Sequence, residues 1–217
     1  MKTYKGAIFD LDGTLLNTLQ DLADSVNEAL THFGLPTHEP EAYKLKIGKG
    51  FRNLIEVSLP EELDPSIDKE EVVKLFVQAY DRNYCHKTVP YQGITELLCS
   101  LHAKGVKLAV NSNKRNDYTD TLIKRFFGDI PFVAILGERE GLPKKPDPYT
   151  ALEIASLMEL TPEEIVYIGD SKTDMQTGKN AGMGKAGAIW GYRGYEELKE
   201  HGADHLLYRP EELEALF

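Results

Sequence analysis

Short, almost unbroken apolar runs alternate along this chain with longer stretches in which apolar residues return every three or four positions. The runs are "GAIFDL" (6–11), "VKLAVNSN" (106–113), "FVAILG" (132–137), "EIVYIGD" (164–170) and "KAGAIW" (185–190). Apolar residues at successive positions fit strands covered on both faces, as in a parallel sheet, better than strands with one wet face. Between the runs, Ile94, Leu97, Leu98 and Leu101 form one helical stripe ended by Gly105, and Tyr118, Leu122 and Phe126 form another ended by Gly128. Ala151, Leu152 and Ala155 begin a third, and "TPEE" (161–164) reads as a helix start with a glutamate placed for a capping box. Such alternation predicts βαβ units, and with them an α/β fold built on a Rossmann-like, doubly wound parallel sheet.

Residues 16–88 break the rhythm. Leu19, Leu22, Ala23, Val26, Leu30 and Phe33 follow helical spacing up to "GLP" (34–36). Val72, Val73, Phe76, Val77 and Tyr80 make a second stripe, with Asp68 placed to cap it. No buried-strand run lies between them. The expected organisation is an α/β core formed by residues 1–15 and 89–217, with a small helical domain, 16–88, inserted after the first strand.

Composition narrows the function. A hydrophobic fraction of 41% in 217 residues supports a sizeable core and argues against disorder. The 25 Lys and Arg against 35 Asp and Glu, a net charge of -10, would repel a nucleic-acid backbone, so a small molecule is the expected partner. No apolar run is long enough to span a bilayer and "MKTYKGAIFDLD" has no signal-like apolar core, so a cytoplasmic protein without a membrane partner is expected. Cys85 and Cys99 show no CxxC spacing and are read as reduced thiols. The pattern suits a monomer and a homodimer equally.

Polar residues gather at the ends of the predicted strands, where open α/β sheets bind their ligands. Asp10 and Asp12 leave the first strand, Asn111, Ser112 and Asn113 the second, and Asp170 and Asp174 follow "YIG"; Lys145 stands between prolines in "LPKKPDP" (142–148). Residues two apart in extended chain share a face, so Asp10 and Asp12 would meet in one cleft and repel each other. Adding Asp170 calls for a hard cation such as Mg²⁺, and Ser112 and Lys145 would suit phosphoryl oxygens. Taken singly, "DGT" is an ordinary turn, "GDSKTD" an ordinary strand exit with a helix cap, and Lys145 an ordinary loop lysine. Their coincidence at successive strand exits is not explained by turn chemistry. In "KIGKGFRN" (46–53), Lys46, Lys49 and Arg52 are candidates to face the cleft and meet a carboxylate or second phosphate; "GKG" lacks the spacing of a phosphate loop.

"FDLDGTL" (9–15), Ser112 in "VNSNK", Lys145 in "KKPDP" and "IGDSKTD" (168–174) resemble, in order, the four motifs of the haloacid dehalogenase superfamily phosphatases. The helical insertion lies where that family carries a small cap domain. "IWGYRGYEEL" (189–198) and "GADHLLYRPEEL" (202–213) resemble the tails of phosphoglycolate phosphatase-like members, in which Tyr192 and Arg193 would help shape the site. The resemblance implies a Mg²⁺-dependent phosphatase of small phosphorylated metabolites. Asp10 would attack phosphorus and form an aspartyl-phosphate, and Asp12 would transfer protons. Asp10, the Asp12 carbonyl and Asp170 would hold the metal, with Asp174 steadying it. Ser112, Asn113 and Lys145 would bind the phosphoryl group. Asn17 departs from the aspartate many relatives carry there. A β-phosphoglucomutase-like phosphomutase, a pyrophosphatase and a catalytically silent binding or regulatory protein are the rival expectations.

Overall fold

In the computed structural model, which describes residues 3–217, the chain runs β1 (Gly6–Phe9), β2 (Leu16–Asn17), α1 (Leu19–His32), α2 (Phe51–Glu56), α3 (Lys69–Asn83), β3 (Val89–Pro90), α4 (Ile94–Ala103), β4 (Lys107–Arg115), α5 (Asn116–Phe127) and β5 (Phe132–Glu138). It continues through α6 (Tyr149–Leu157), β6 (Ile165–Gly169), α7 (Lys172–Ala181), β7 (Gly184–Ala188), α8 (Tyr195–Glu200) and β8 (His205–Leu207). Six strands form one sheet in the order β5-β4-β1-β6-β7-β8, and every pairing in it is parallel. Strand order reverses direction of growth at β1, so β1 ends at the topological switch point.

Side chains on successive strand residues enter opposite layers. Ala7, Phe9, Leu108, Val110, Val166 and Ile168 pack against α4 and α5, while Ile8, Ala109, Ile165 and Tyr167 pack against α6 and the end of α7. Burial on both faces is why these strands read as continuous apolar runs. The first run is shorter than its sequence suggests: β1 stops at Phe9, although the Asp10 N–H still reaches Ile168 O at 2.9 Å. "TPEE" does form a capping box, but only one 3₁₀ turn (Pro162–Glu164) precedes β6, because the buried strand begins at Ile165. The sixth strand, β8, is three residues long, too short to stand out as a run.

Between β2 and β3, which pair antiparallel as a two-stranded ribbon, α1, α2 and α3 enclose a separate apolar cluster including Leu22, Val26, Leu30, Phe76 and Tyr80. Asp68 caps α3 as its position suggests, accepting the Glu70 N–H at 2.9 Å. Helix α2 and the 3₁₀ turn Pro40–Leu45 lie outside the predicted stripes. At six residues each they are too short for a periodic pattern to emerge. The fold is thus an α/β sheet core with a helical insert, and the insert stands over the carboxyl end of β1.

Candidate active site

Asp10 leaves the central strand directly below the insert. Its Oδ1 lies 2.8 Å from Lys145 Nζ, which is also 2.8 Å from Asp174 Oδ1. Asp10, Asp170 and Asp174 are all buried and offer oxygens within 4.8 Å of one another. Local structure fixes two of the three. Asp174 closes the N-terminal turn of α7, its Oδ2 accepting from Ser171 N–H (3.1 Å) and Oγ (2.7 Å). Asp170 directly follows β6 and accepts the Tyr192 N–H at 2.7 Å. Gly13, at φ +86°, passes so close that a Cβ there would fall 2.3 Å from Asp170 Oδ2, so the turn after β1 needs glycine for conformation and for space.

Three carboxylates against one buried ammonium leave an excess of negative charge away from water. Burial pushes the Asp10 carboxyl up to about 7, with Lys145 pulling down and Asp174 pushing up. Asp170 is raised well above the usual carboxylate range by burial and then by Asp174 and Asp10. For Lys145, burial opposes the charge, but the adjoining Asp10 and Asp174 outweigh it and hold the ammonium well above its ordinary value. An all-oxygen donor set with unbalanced negative charge fits a hard divalent cation.

Asp12 has different surroundings. Although β1 has already ended, the turn brings Asp12 into the same cavity as Asp10. Its carboxylate accepts from Thr18 Oγ1 at 2.7 Å and from Lys114 Nζ at 3.0 and 3.1 Å. Ser112 lines that cavity too, and its Oγ accepts the Lys114 N–H at 3.2 Å. Asn113 is there as well, but its carboxamide is occupied: Nδ2 donates to Gly48 O (2.9 Å) and Lys145 O (3.2 Å), and Oδ1 accepts the Lys145 N–H (2.9 Å). Its side chain therefore ties the insert to the Lys145 loop.

None of the three cations expected over the cleft lines the cavity that holds Asp10 and Asp12. Lys46 Nζ is bonded to Val57 O, Lys46 and Lys49 line a neighbouring cavity of about 280 Å³, and Arg52 pairs with Glu70 on the surface. Helix α2 begins at Phe51, so Phe51 and Leu54, one turn apart, take its inner face and Arg52 is turned outward. Sequence reasoning passed over Lys114 and Thr18. The signal for Lys114 was its place two residues after Ser112 on the same strand end.

The model of the haloacid dehalogenase-like hydrolases matches residues 7–188. The chain belongs to that family. Among curated haloacid dehalogenase-like relatives, the phosphoglycolate phosphatase of Aquifex aeolicus is 34% identical over 206 residues, covering 95% of this chain and 93% of its own. That of Psychrobacter arcticus is 34% identical over 201 residues, covering 89% and 86%. A crystal structure from Lactobacillus delbrueckii subsp. bulgaricus superposes with a TM-score of 0.91 at 33% identity, covering 100% of this chain and 99% of the other. This haloacid dehalogenase-like hydrolase is therefore phosphoglycolate-phosphatase-like, and its buried aspartate cluster is of the kind that aspartyl-phosphate catalysis requires. Among the described residues, no helix is long and apolar enough to cross a membrane.

Proposed function

We propose that the protein is a Mg²⁺-dependent phosphatase of small phosphomonoesters, with 2-phosphoglycolate as its substrate. The observation that carries this reading is the pairing of Asp10 with Lys145 beside Asp170 and Asp174, at the foot of a cavity roofed by the insert. Asp10 is the nucleophile, and its carboxylate oxygen bonds to phosphorus as the leaving alkoxide departs. Asp12 supplies that alkoxide with a proton and then takes one from the water that cleaves the aspartyl-phosphate. The Ser112 hydroxyl and the Lys145 ammonium hold phosphoryl oxygens. Mg²⁺ would be held by Asp10, the Asp12 carbonyl and Asp170, with Asp174 fixing Lys145 and the end of α7; when bound it neutralises charge on the transferring group.

Residues 16–88 act as the cap and residues 1–15 with 89–217 as the catalytic core. The cavity between them is lined by Asp10, Asp12, Ser112 and Lys114 from the core and by Leu22, Ile47, Phe51 and Leu54 from the insert. Cys85 and Cys99 are unpaired, as suits the reducing cytoplasm in which we place the enzyme.

The test is phosphate release from a panel of 2-phosphoglycolate, sugar phosphates, pyrophosphate and an aryl phosphate. Turnover should require Mg²⁺, favour phosphoglycolate and vanish in Asp10→Asn. Metal-independent turnover, or none on the whole panel, would remove the reading.

A further inference from the structure

Lys114 is a fully buried lysine at the end of β4 with an unusual set of neighbours. Its Nζ lies 3.0 and 3.1 Å from the two oxygens of Asp12, 4.9 Å from the Tyr80 ring centroid and 5.6 Å from that of Phe51. Tyr80 and Phe51 belong to the helical insert, so this ammonium sits at the junction between insert and sheet. An ammonium has three N–H donors, and its hydrogen bonds among the described residues go to Asp12 alone. The ring faces attract the charge but take no conventional hydrogen bond.

The cavity beside Asp10 is otherwise walled on the insert side by Leu22, Ile47, Phe51 and Leu54, and Lys114 is the one Lys or Arg lining it among the described residues. Lys145 stands behind it on Asp10 and Asp174, and Arg52 is paired with Glu70 at the surface. A charged leaving group entering this cavity has one cation to meet.

We propose that Lys114 determines substrate choice by binding a carboxylate on the leaving group, which makes the preferred substrates phosphate esters of small α-hydroxy acids. The inference rests on the proposed phosphatase reading, in which Asp12 must reach the ester oxygen. In such an ester the carboxyl carbon is two bonds from that oxygen. A leaving group bonded to Asp12 therefore carries its carboxylate into the reach of the cation already on Asp12. An ester without the carboxylate leaves that donor without an acceptor against a hydrocarbon wall, and a site with an unsatisfied buried polar group rejects it. Lys114 would bind the second charge of the substrate from the core side, a task the sequence suggested for cations of the insert.

The test compares 2-phosphoglycolate with ethyl phosphate, in which a methyl group replaces the carboxylate, using Mg²⁺-loaded wild type, Lys114→Met, Lys114→Gln and Lys114→Arg. Wild type should prefer phosphoglycolate. Lys114→Met and Lys114→Gln should lower kcat/KM for phosphoglycolate by about 100-fold or more, with a raised KM, and that for ethyl phosphate by less than about tenfold. Lys114→Arg should recover part of the preference. Equal losses on both esters would make Lys114 only a positioning residue for Asp12 and overturn the proposal. Turnover of both esters by wild type with no preference would overturn it without any variant. Turnover of ethyl phosphate but not phosphoglycolate would overturn both the proposal and the assigned substrate, and no turnover of either ester or of an aryl phosphate would remove the phosphatase reading itself. Circular dichroism and the Mg²⁺-induced melting shift identify a variant that has lost its fold, and the wild-type preference then decides.

Discussion

Asp21 Oδ2 accepts two hydrogen bonds from Thr88, one from its N–H and one from its hydroxyl, each 2.8 Å long. Asp21 is in the first turn of α1, where the chain enters the insert, and Thr88 stands where it leaves. The same carboxylate also accepts the Lys87 N–H at 3.0 Å. One buried side chain thus ties the two crossings of the insert to each other. Beside it, the Tyr192 hydroxyl meets Thr18 Oγ1 at 3.2 Å and accepts the Thr18 N–H at 3.1 Å, so the entry strand is also tied to the loop that supports Asp170.

Asp21→Ala should strip three donors of their acceptor at once. The expected cost is about 2–4 kcal/mol of stability, since each unpaired buried donor retains its desolvation penalty. Equilibrium urea unfolding measures it. A loss below about 1 kcal/mol, the size of a single ordinary hydrogen bond, would mean that water replaces the carboxylate at the junction and that Asp21 does not hold it.

The metal-free site should make stability fall as pH rises. Asp10 titrates near 7 in the folded chain against 3.8 as the ordinary value, so between those values the folded state binds the extra proton. Bound protons favour the folded state there, and their stabilisation disappears as pH climbs through about 7. Asp170, also raised, works in the same direction, whereas the upward shift of Lys145 has no effect in this window because the lysine is charged in both states. Melting temperatures in EDTA should therefore fall from about pH 5 to about pH 8. Added Mg²⁺ should stabilise more at the upper end of that range than at the lower, where it must displace protons. A Mg²⁺ increment that is flat with pH would contradict the donor set.

Gly13→Ala should damage the metal response more than the fold. The new methyl group would meet Asp170 Oδ2 at 2.3 Å and the Tyr192 ring at 2.9 Å, in a backbone conformation that alanine resists. Gly34→Ala is the matched control, because Gly34 also has positive φ, +65°, but apart from its chain neighbours nothing lies within 4 Å of where the methyl group would be. Each should lose about 1–3 kcal/mol from backbone strain, but only Gly13→Ala should lose the Mg²⁺-induced melting shift. Equal shifts in the two variants would show that Asp170 relaxes away from the methyl group without cost to the cation.

The parallel sheet was legible because its strands are buried on both faces and its helices carry full stripes. Short elements were not: α2 and β8 have too few residues for a period, and "TPEE" carries a helix-start signal that the following strand overrides after one turn. At the site, Asp10, Asp12, Ser112, Lys145, Asp170 and Asp174 could be marked in sequence because each stands at or soon after a strand end, and the structure gathers them. Asn113 was legible by position, but the bonds of its carboxamide to Gly48 and Lys145 join distant segments and were not. The direction taken by Arg52 was not legible for a different reason. Which side of a six-residue helix faces inward depends on what it packs against, and Phe51 and Leu54 take that side.

The sequence by itself determined the layered α/β core, the helical insertion and the aspartates at the strand ends, because hydrophobic period, capping and turn preference act over a few neighbouring residues. Only the tertiary structure decided that Lys114, 102 positions from Asp12, supplies the cation inside the cavity. It also decided that Asp21 fastens the insert to Thr88 and that Gly13 leaves room for Asp170. Such contacts join segments whose separation along the chain sets no distance between them. They follow from strand order and from the way the insert closes over β1, and neither is written in any local stretch of residues.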